Sequence, residues 1–124
     1  MGAEGVTILC VDDEETPRML RKLVLQKMNY RVATASSGRE ALERLALGGI
    51  DLVLSDQMMP HMTGTELTKA VKRMCPGMPV ILISGVNEVP PDAAFADRFI
   101  SNVGGPELLF ATVSEVLRAY GHHC

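Results

Sequence analysis

At 124 residues and a net charge of −3, with 47% of residues hydrophobic and 22% charged, the chain has the balance of one globular domain able to bury a core without disulfide or metal support. The acidic balance excludes the basic footprint of direct nucleic-acid binding, and no apolar run approaches the length of a membrane span. Cys10, Cys75 and Cys124 are far apart with no CxxC, which argues for reduced thiols, and with no signal pattern at the start the expected location is cytoplasmic.

Val6–Val11 is a first strand, apolar nearly throughout as a parallel strand covered on both faces requires. Thr16-Pro17 supplies an N-cap and a proline at the first helical position. The helix that follows is read with Met19, Leu20, Leu23 and Val24 inward and Arg18, Arg21, Lys22 and Gln26 in water. Tyr30–Ala35 is the second strand. Ser37-x-x-Glu40 is a capping-box pattern opening a helix with Leu42, Leu45 and Ala46 inside, closed by Gly48-Gly49.

Asp51–Ser55 is the third strand, and Thr63-x-x-Glu66 is a second capping box ahead of Leu67, Ala70, Val71 and Met74 at helical spacing. Val80–Ser84 and Arg98–Ser101 are the fourth and fifth strands. The stretch GVNEVPPDAAFAD between them holds two prolines and little periodicity, so the fourth helix is abbreviated. Pro106 opens a last helix with the stripe Leu109, Val113, Val116, Leu117 and Tyr120. The ending Gly121-His122-His123-Cys124 reads as a frayed end in preference to a metal site.

Strands alternating with helices imply an α/β domain spanning residues 1–124. The leading choice is a flavodoxin-like, doubly wound, five-stranded parallel sheet of order 2-1-3-4-5. Ligands of such sheets sit beyond the C-terminal strand ends, where strands 1 and 3 diverge. The run ILCVDDEE puts Asp12 and Asp13 at the end of strand 1, and Asp56 and Ser84 end strands 3 and 4. Two carboxylates about 5 Å apart repel by roughly 3 kcal/mol at an effective dielectric near 20. A divalent cation removes that repulsion, and hard oxygen ligands suit Mg²⁺. Acids at a strand-to-helix junction also complement a helix N-terminus, which is all that Glu14 and Glu15 need do. Asp56 and Ser84 at the matching strand ends are what argue for a site.

At these residues the sequence resembles a response regulator receiver domain, the phosphoacceptor half of two-component signalling. The resemblance rests on VDDE at 11–14, on SDQMMPHMTG at 55–64, which matches the D-x-x-M-P-x-M-x-G pattern, and on ISG at 83–85. It implies that Asp56 takes a phosphoryl group from the phosphohistidine of a histidine kinase or phosphotransfer protein. Asp13, Asp56 and the backbone carbonyl of Met58 would ligate Mg²⁺, with Asp12 acting through water. Ser84 would donate its hydroxyl to a phosphoryl oxygen, and Phe99 matches the aromatic switch position on strand 5. Phosphoryl transfer needs positioning and charge neutralisation, which this set supplies.

The pattern breaks at Asn102-Val103, where the family has Lys-Pro. An asparagine amide donates a hydrogen bond without charge, and charge-assisted bonds are roughly twice as strong. Arg98 and Lys72 are candidate replacement cations by type. Met58 and Val86 stand where the family flanks the water that attacks phosphoaspartate, and neither orients a water by hydrogen bonding, so the phosphorylated form is expected to be long-lived. Two alternatives stand beside the active receiver. One is a pseudo-receiver binding module that no longer switches by phosphate, supported by Asn102. The other is a small Mg²⁺-dependent phosphohydrolase, which would want an acid at position 58 and a substrate-covering insertion.

Overall fold

The computed structural model describes residues 5–84, 96–101 and 105–119. Along them run β1 (Thr7–Val11), α1 (Glu15–Lys27), β2 (Arg31–Ala35), α2 (Gly38–Ala46), β3 (Leu52–Asp56), α3 (Gly64–Met74), β4 (Val80–Ser84), β5 (Arg98–Ser101) and α4 (Gly105–Ala119). The strands form one five-stranded parallel sheet of order β2-β1-β3-β4-β5, as the alternating pattern requires. The expected abbreviated helix between β4 and β5 falls in 85–95, outside the described residues.

Alternation along each strand divides the core in two. Ile8 and Cys10 of β1, with Leu52 and Leu54 of β3 and Ile81 and Ile83 of β4, face Leu25 of α1 and Leu109, Val113 and Val116 of α4. Leu9, Val11, Val53, Val80 and Leu82 point the other way, onto Ala41 and Leu45 of α2 and Leu67 and Val71 of α3. Ala46 and Met74, placed inside by helical spacing, are exposed, and Tyr120 lies outside the described residues. Phe99 is half-buried against the α2–α3 layer.

The N-cap bond forms at both predicted capping boxes, but the reciprocal bond closes only at the second, since Glu40 accepts from the Ser36 N–H and hydroxyl in place of the Ser37 N–H. Ser37 accepts from the Glu40 N–H at 3.1 Å, and Thr63 and Glu66 form a complete reciprocal box at the start of α3. The α1 reading needs correction. The helix begins at Glu15, with Glu14 as an N-cap that makes no side-chain cap bond, so Thr16 and Pro17 are its second and third residues. A proline is tolerated there because first-turn N–H groups have no partner within the helix.

The inward face of α1 also differs. Met19, Leu20 and Leu23 are exposed, whereas Leu25 is fully buried and Arg21 is turned into the protein. Residues 18, 21 and 25 share a helical face, and that face, which carries Arg18 and Arg21 above Leu25, is the one that packs. The thiol reading fails at one position: Cys10 is free and buried, but Cys75 is disulfide-bonded. No helix among the described residues is long and apolar enough to cross a membrane.

Candidate phosphoacceptor and metal site

The parallel register builds the site. Val11 pairs with Ser55, so the residues that follow them, Asp12 and Asp56, emerge side by side at the C-terminal edge. Asp56 in turn pairs with Ile83, which brings Ser84, the last residue of β4, to the same edge. One carboxylate oxygen from each of Asp12, Asp13 and Asp56 lies within 4.8 Å of the others. Asp12 is buried at 3% exposure, Asp13 is exposed and Asp56 lies between them. Ser84 is buried and engaged.

Local geometry fixes each acid differently. Asp12 closes the β1–α1 turn: its Oδ1 accepts from the Glu14 N–H at 2.9 Å, and its own N–H donates to the Ala35 carbonyl at 3.1 Å. Arg18 Nη1 donates to the Asp12 carbonyl at 2.8 Å. Asp56 is held through its neighbour Gln57, a residue with no assigned role in the sequence reading. The buried Gln57 Oε1 accepts from both the N–H and the hydroxyl of Thr65, and its carbonyl accepts from the Gly64 N–H at 2.8 Å. The start of α3 is thereby locked onto the end of β3.

Burial pushes the Asp56 carboxyl up to about 6, and the Asp12 carboxylate adds to that push. The Arg21 guanidinium opposes it, Asp13 adds a smaller upward push, and the Met58 backbone N–H, bonded to the carboxylate, pulls down. Met58 itself is 61% exposed. Burial likewise pushes the Cys10 thiol up to about 12, which leaves it a protonated core residue.

The donor set is all oxygen and carries three carboxylates, the chemistry that Mg²⁺ takes in preference to softer metals. Ligand oxygens on opposite sides of such an ion are roughly 4 Å apart, so a cluster spanning 4.8 Å fits after a small side-chain adjustment.

Arg21 is the cation beside the acidic cluster, at a position that the sequence pattern assigned to water. Its Nη1 lies 2.6 Å from Asp12 Oδ2 and its Nη2 3.8 Å from Asp56 Oδ1, with the side chain only 12% exposed. The usable signal was electrostatic: three carboxylates at one edge, one of them buried, call for a cation, and Arg21 sits one face-turn above the fully buried Leu25. The two cations suggested by residue type are committed elsewhere. Lys72 Nζ donates to Asp97 at 2.8 Å and to the Met78 carbonyl at 2.6 Å, and Arg98 pairs with Glu115 at 2.6 Å. Asn102 lies outside the described residues, as does Val86.

Known proteins are similar to this chain in sequence and in fold. The family model for the response regulator receiver domain matches residues 8–110. The sensor kinase CckA of Brucella abortus is 38% identical over 121 residues, covering 91% of this chain and 13% of that protein. Among solved structures, the chemotaxis protein CheY4 of Vibrio cholerae is 31% identical with a TM-score of 0.83, covering 90% of this chain and 98% of that one. TrrA of Thermotoga maritima, solved in complex with Mg(2+)-BeF, is 30% identical with a TM-score of 0.85, covering 90% and 99%. The chain spans 13%, 20% and 27% of the curated relatives CckA, ZraR and GlrR that it matches.

Proposed function

Because the chain belongs to the response regulator receiver family, we propose that it is an active phosphoacceptor whose nucleophile is Asp56 and whose donor is a phosphohistidine on a histidine kinase or phosphotransfer protein. The observation that carries this reading is the convergence of the Asp12, Asp13 and Asp56 carboxylates within 4.8 Å at the β1–β3 switch point.

In the transfer, an Asp56 carboxylate oxygen attacks phosphorus, the P–N bond to the donor imidazole breaks, and the imidazole leaves with the bonding pair and takes up a proton. Asp56 becomes a mixed anhydride with no net change in oxidation state. Asp13, Asp56 and the Met58 carbonyl would hold Mg²⁺, with Asp12 acting through water; when bound, the ion neutralises charge on the transferring oxygens. Ser84, the last residue of β4, would donate its hydroxyl to a phosphoryl oxygen. Phe99 of β5 and, by sequence, Asn102 just after it match the family positions through which that event would reach the surface.

The complete acidic cluster favours this reading over a pseudo-receiver. Methionine at position 58 offers no general acid for a phosphohydrolase. The same chemistry points to a cytoplasmic location, beside the kinase domains that generate phosphohistidine.

Incubation with acetyl phosphate tests the proposal. Intact mass should show one phosphoryl adduct that requires Mg²⁺ and disappears with EDTA or in Asp56→Asn. A protein that stays unmodified under those conditions overturns it in favour of the pseudo-receiver.

A further inference from the structure

Resting on Asp56 as phosphoacceptor, we propose that Arg21 of α1 is the phosphoryl-binding cation of this protein: it holds Asp12 in the resting state and turns its guanidinium onto the phosphoryl oxygens once Asp56 is modified.

Charge is the first argument. Three carboxylates meet at the edge, and phosphorylation replaces the single charge of Asp56 with roughly one and a half to two. In sequence, β5 is followed by Asn102, which carries no charge. Lys72 and Arg98 are tied to Asp97 and Glu115. Arg18 spends its guanidinium on the main-chain carbonyl of Asp12. Arg21 alone among the described cations forms ion pairs with the acidic cluster.

Geometry is the second. Arg21 is engaged at full strength with Asp12, at 2.6 Å, while Nη2 faces Asp56 Oδ1 at 3.8 Å, beyond hydrogen-bond length. A phosphoryl group extends the acceptor oxygens of Asp56 beyond its carboxylate, and the planar guanidinium fork matches phosphate oxygens two at a time.

Room to move is the third. Arg21 lines a cavity of about 200 Å³ between α1, β4, β5 and α4, together with Ile83, Ser101 and Leu109. Ser101 is the last residue of β5, so the guanidinium shares this cavity with the strand end that Asn102 follows in the sequence. The charge missing from one element is supplied by another.

The arrangement has a signature that a merely structural arginine lacks. In the resting state the guanidinium shares Asp12 with the divalent ion and competes with it; in the phosphorylated state the two act together. Removing the charge should therefore move two affinities in opposite directions. Calorimetry on the wild-type chain, Arg21→Gln and Arg21→Lys reads both, with Mg²⁺ titrated alone and then beryllofluoride, a phosphoryl mimic, titrated at saturating Mg²⁺.

Arg21→Gln should bind Mg²⁺ alone several-fold more tightly and beryllofluoride about tenfold more weakly, and Arg21→Lys should recover most of the second loss. Both affinities falling together, or beryllofluoride binding unchanged in Arg21→Gln, overturns the inference and leaves Asp56 as phosphoacceptor untouched. A wild-type chain that takes up no beryllofluoride overturns both. The side-chain N–H resonance of Arg21 in the wild-type protein gives a reading independent of any variant's folding. It should shift when beryllofluoride is added to the Mg²⁺ form, and an unmoved resonance rejects the proposal.

Discussion

Gly64, the first residue of α3, sits so close to Asp56 that a Cβ on it would lie 2.6 Å from the Asp56 carbonyl oxygen. The same atom would lie 2.9 Å from the Gln57 Cα and 2.8 Å from a Leu82 methyl. Two of those three neighbours are backbone and have no rotamer to change. The glycine that ends the D-x-x-M-P-x-M-x-G pattern is therefore a packing requirement: it lets the start of α3 rest directly on the strand end that carries Asp56.

Gly64→Ala should cost about 1–3 kcal/mol, the range for overpacking a filled site, and should displace the end of β3. Urea denaturation gives the stability loss, and beryllofluoride affinity in Mg²⁺ reports the displacement. A variant with wild-type stability would mean that α3 slides without consequence, against the Gln57–Thr65 bonds that lock it.

Asp56 makes stability depend on pH in the absence of metal. Its folded-state pKa is raised to about 6, above the ordinary carboxylate value, so between those two values the folded protein binds more protons than the unfolded one. The contribution of Asp56 to stability is thus fully present at low pH and is lost as pH rises through about 6. In EDTA near pH 8, Asp56→Asn should melt higher than wild type, by about 1 kcal/mol after allowing for solvent screening of a partly exposed group. The difference should shrink as pH falls through about 6 and should also close in excess Mg²⁺. A gain from Asp56→Asn that is the same at every pH would show that the cause is not this carboxylate.

Lys72 separates stability from signalling. Its partner Asp97 also accepts from the Val80 N–H at 2.7 Å, so one carboxylate ties α3, the start of β4 and the approach to β5 together. Lys72→Met should lose about 1–2 kcal/mol, and Asp97→Ala more, because it leaves both an ammonium and a strand N–H without that acceptor. Neither should change beryllofluoride affinity by more than about twofold, since the pair lies at the strand starts, away from the acidic edge. A large drop in that affinity in Lys72→Met would restore Lys72 as a candidate phosphoryl cation.

The parts of this protein legible in the sequence are those fixed by patterns of one kind. The strands could be read because parallel strands buried on both faces are apolar at nearly every position, and Val80–Ser84 and Arg98–Ser101 match residue for residue. The acids could be placed because the sheet order puts the ends of β1 and β3 side by side. Helix α1 misled because two patterns compete on it. The apolar set Met19, Leu20, Leu23 and Val24 makes a convincing stripe, but the helix turns instead to place Arg21 against a buried Asp12. Leaving Asp12 unpaired would cost more than exposing three apolar side chains. Hydrophobic periodicity counts only the second of those energies.

The lifetime of the modified form is set by the surroundings of the attacking water. Hydrolysis of an aspartyl phosphate needs a water aligned opposite the Asp56 oxygen, and a side chain that accepts its hydrogen bond both orients it and draws off its proton. On the receiver pattern the two positions that flank such a water are Met58 and Val86, a thioether and an alkyl group, of which only the first is even a weak acceptor. Met58, 61% exposed, is free to lie over the site and shield it. After phosphorylation with acetyl phosphate and removal of the donor, the adduct should persist for minutes or longer. Met58→Asn, which supplies an amide able to bind the water, should shorten its life by about tenfold while leaving beryllofluoride affinity near that of wild type. Decay within seconds in the wild-type protein would mean that another group orients the water, and Arg21→Gln would then be the next variant to time, because a guanidinium moved onto the phosphoryl oxygens would also stabilise the charge that develops as water attacks.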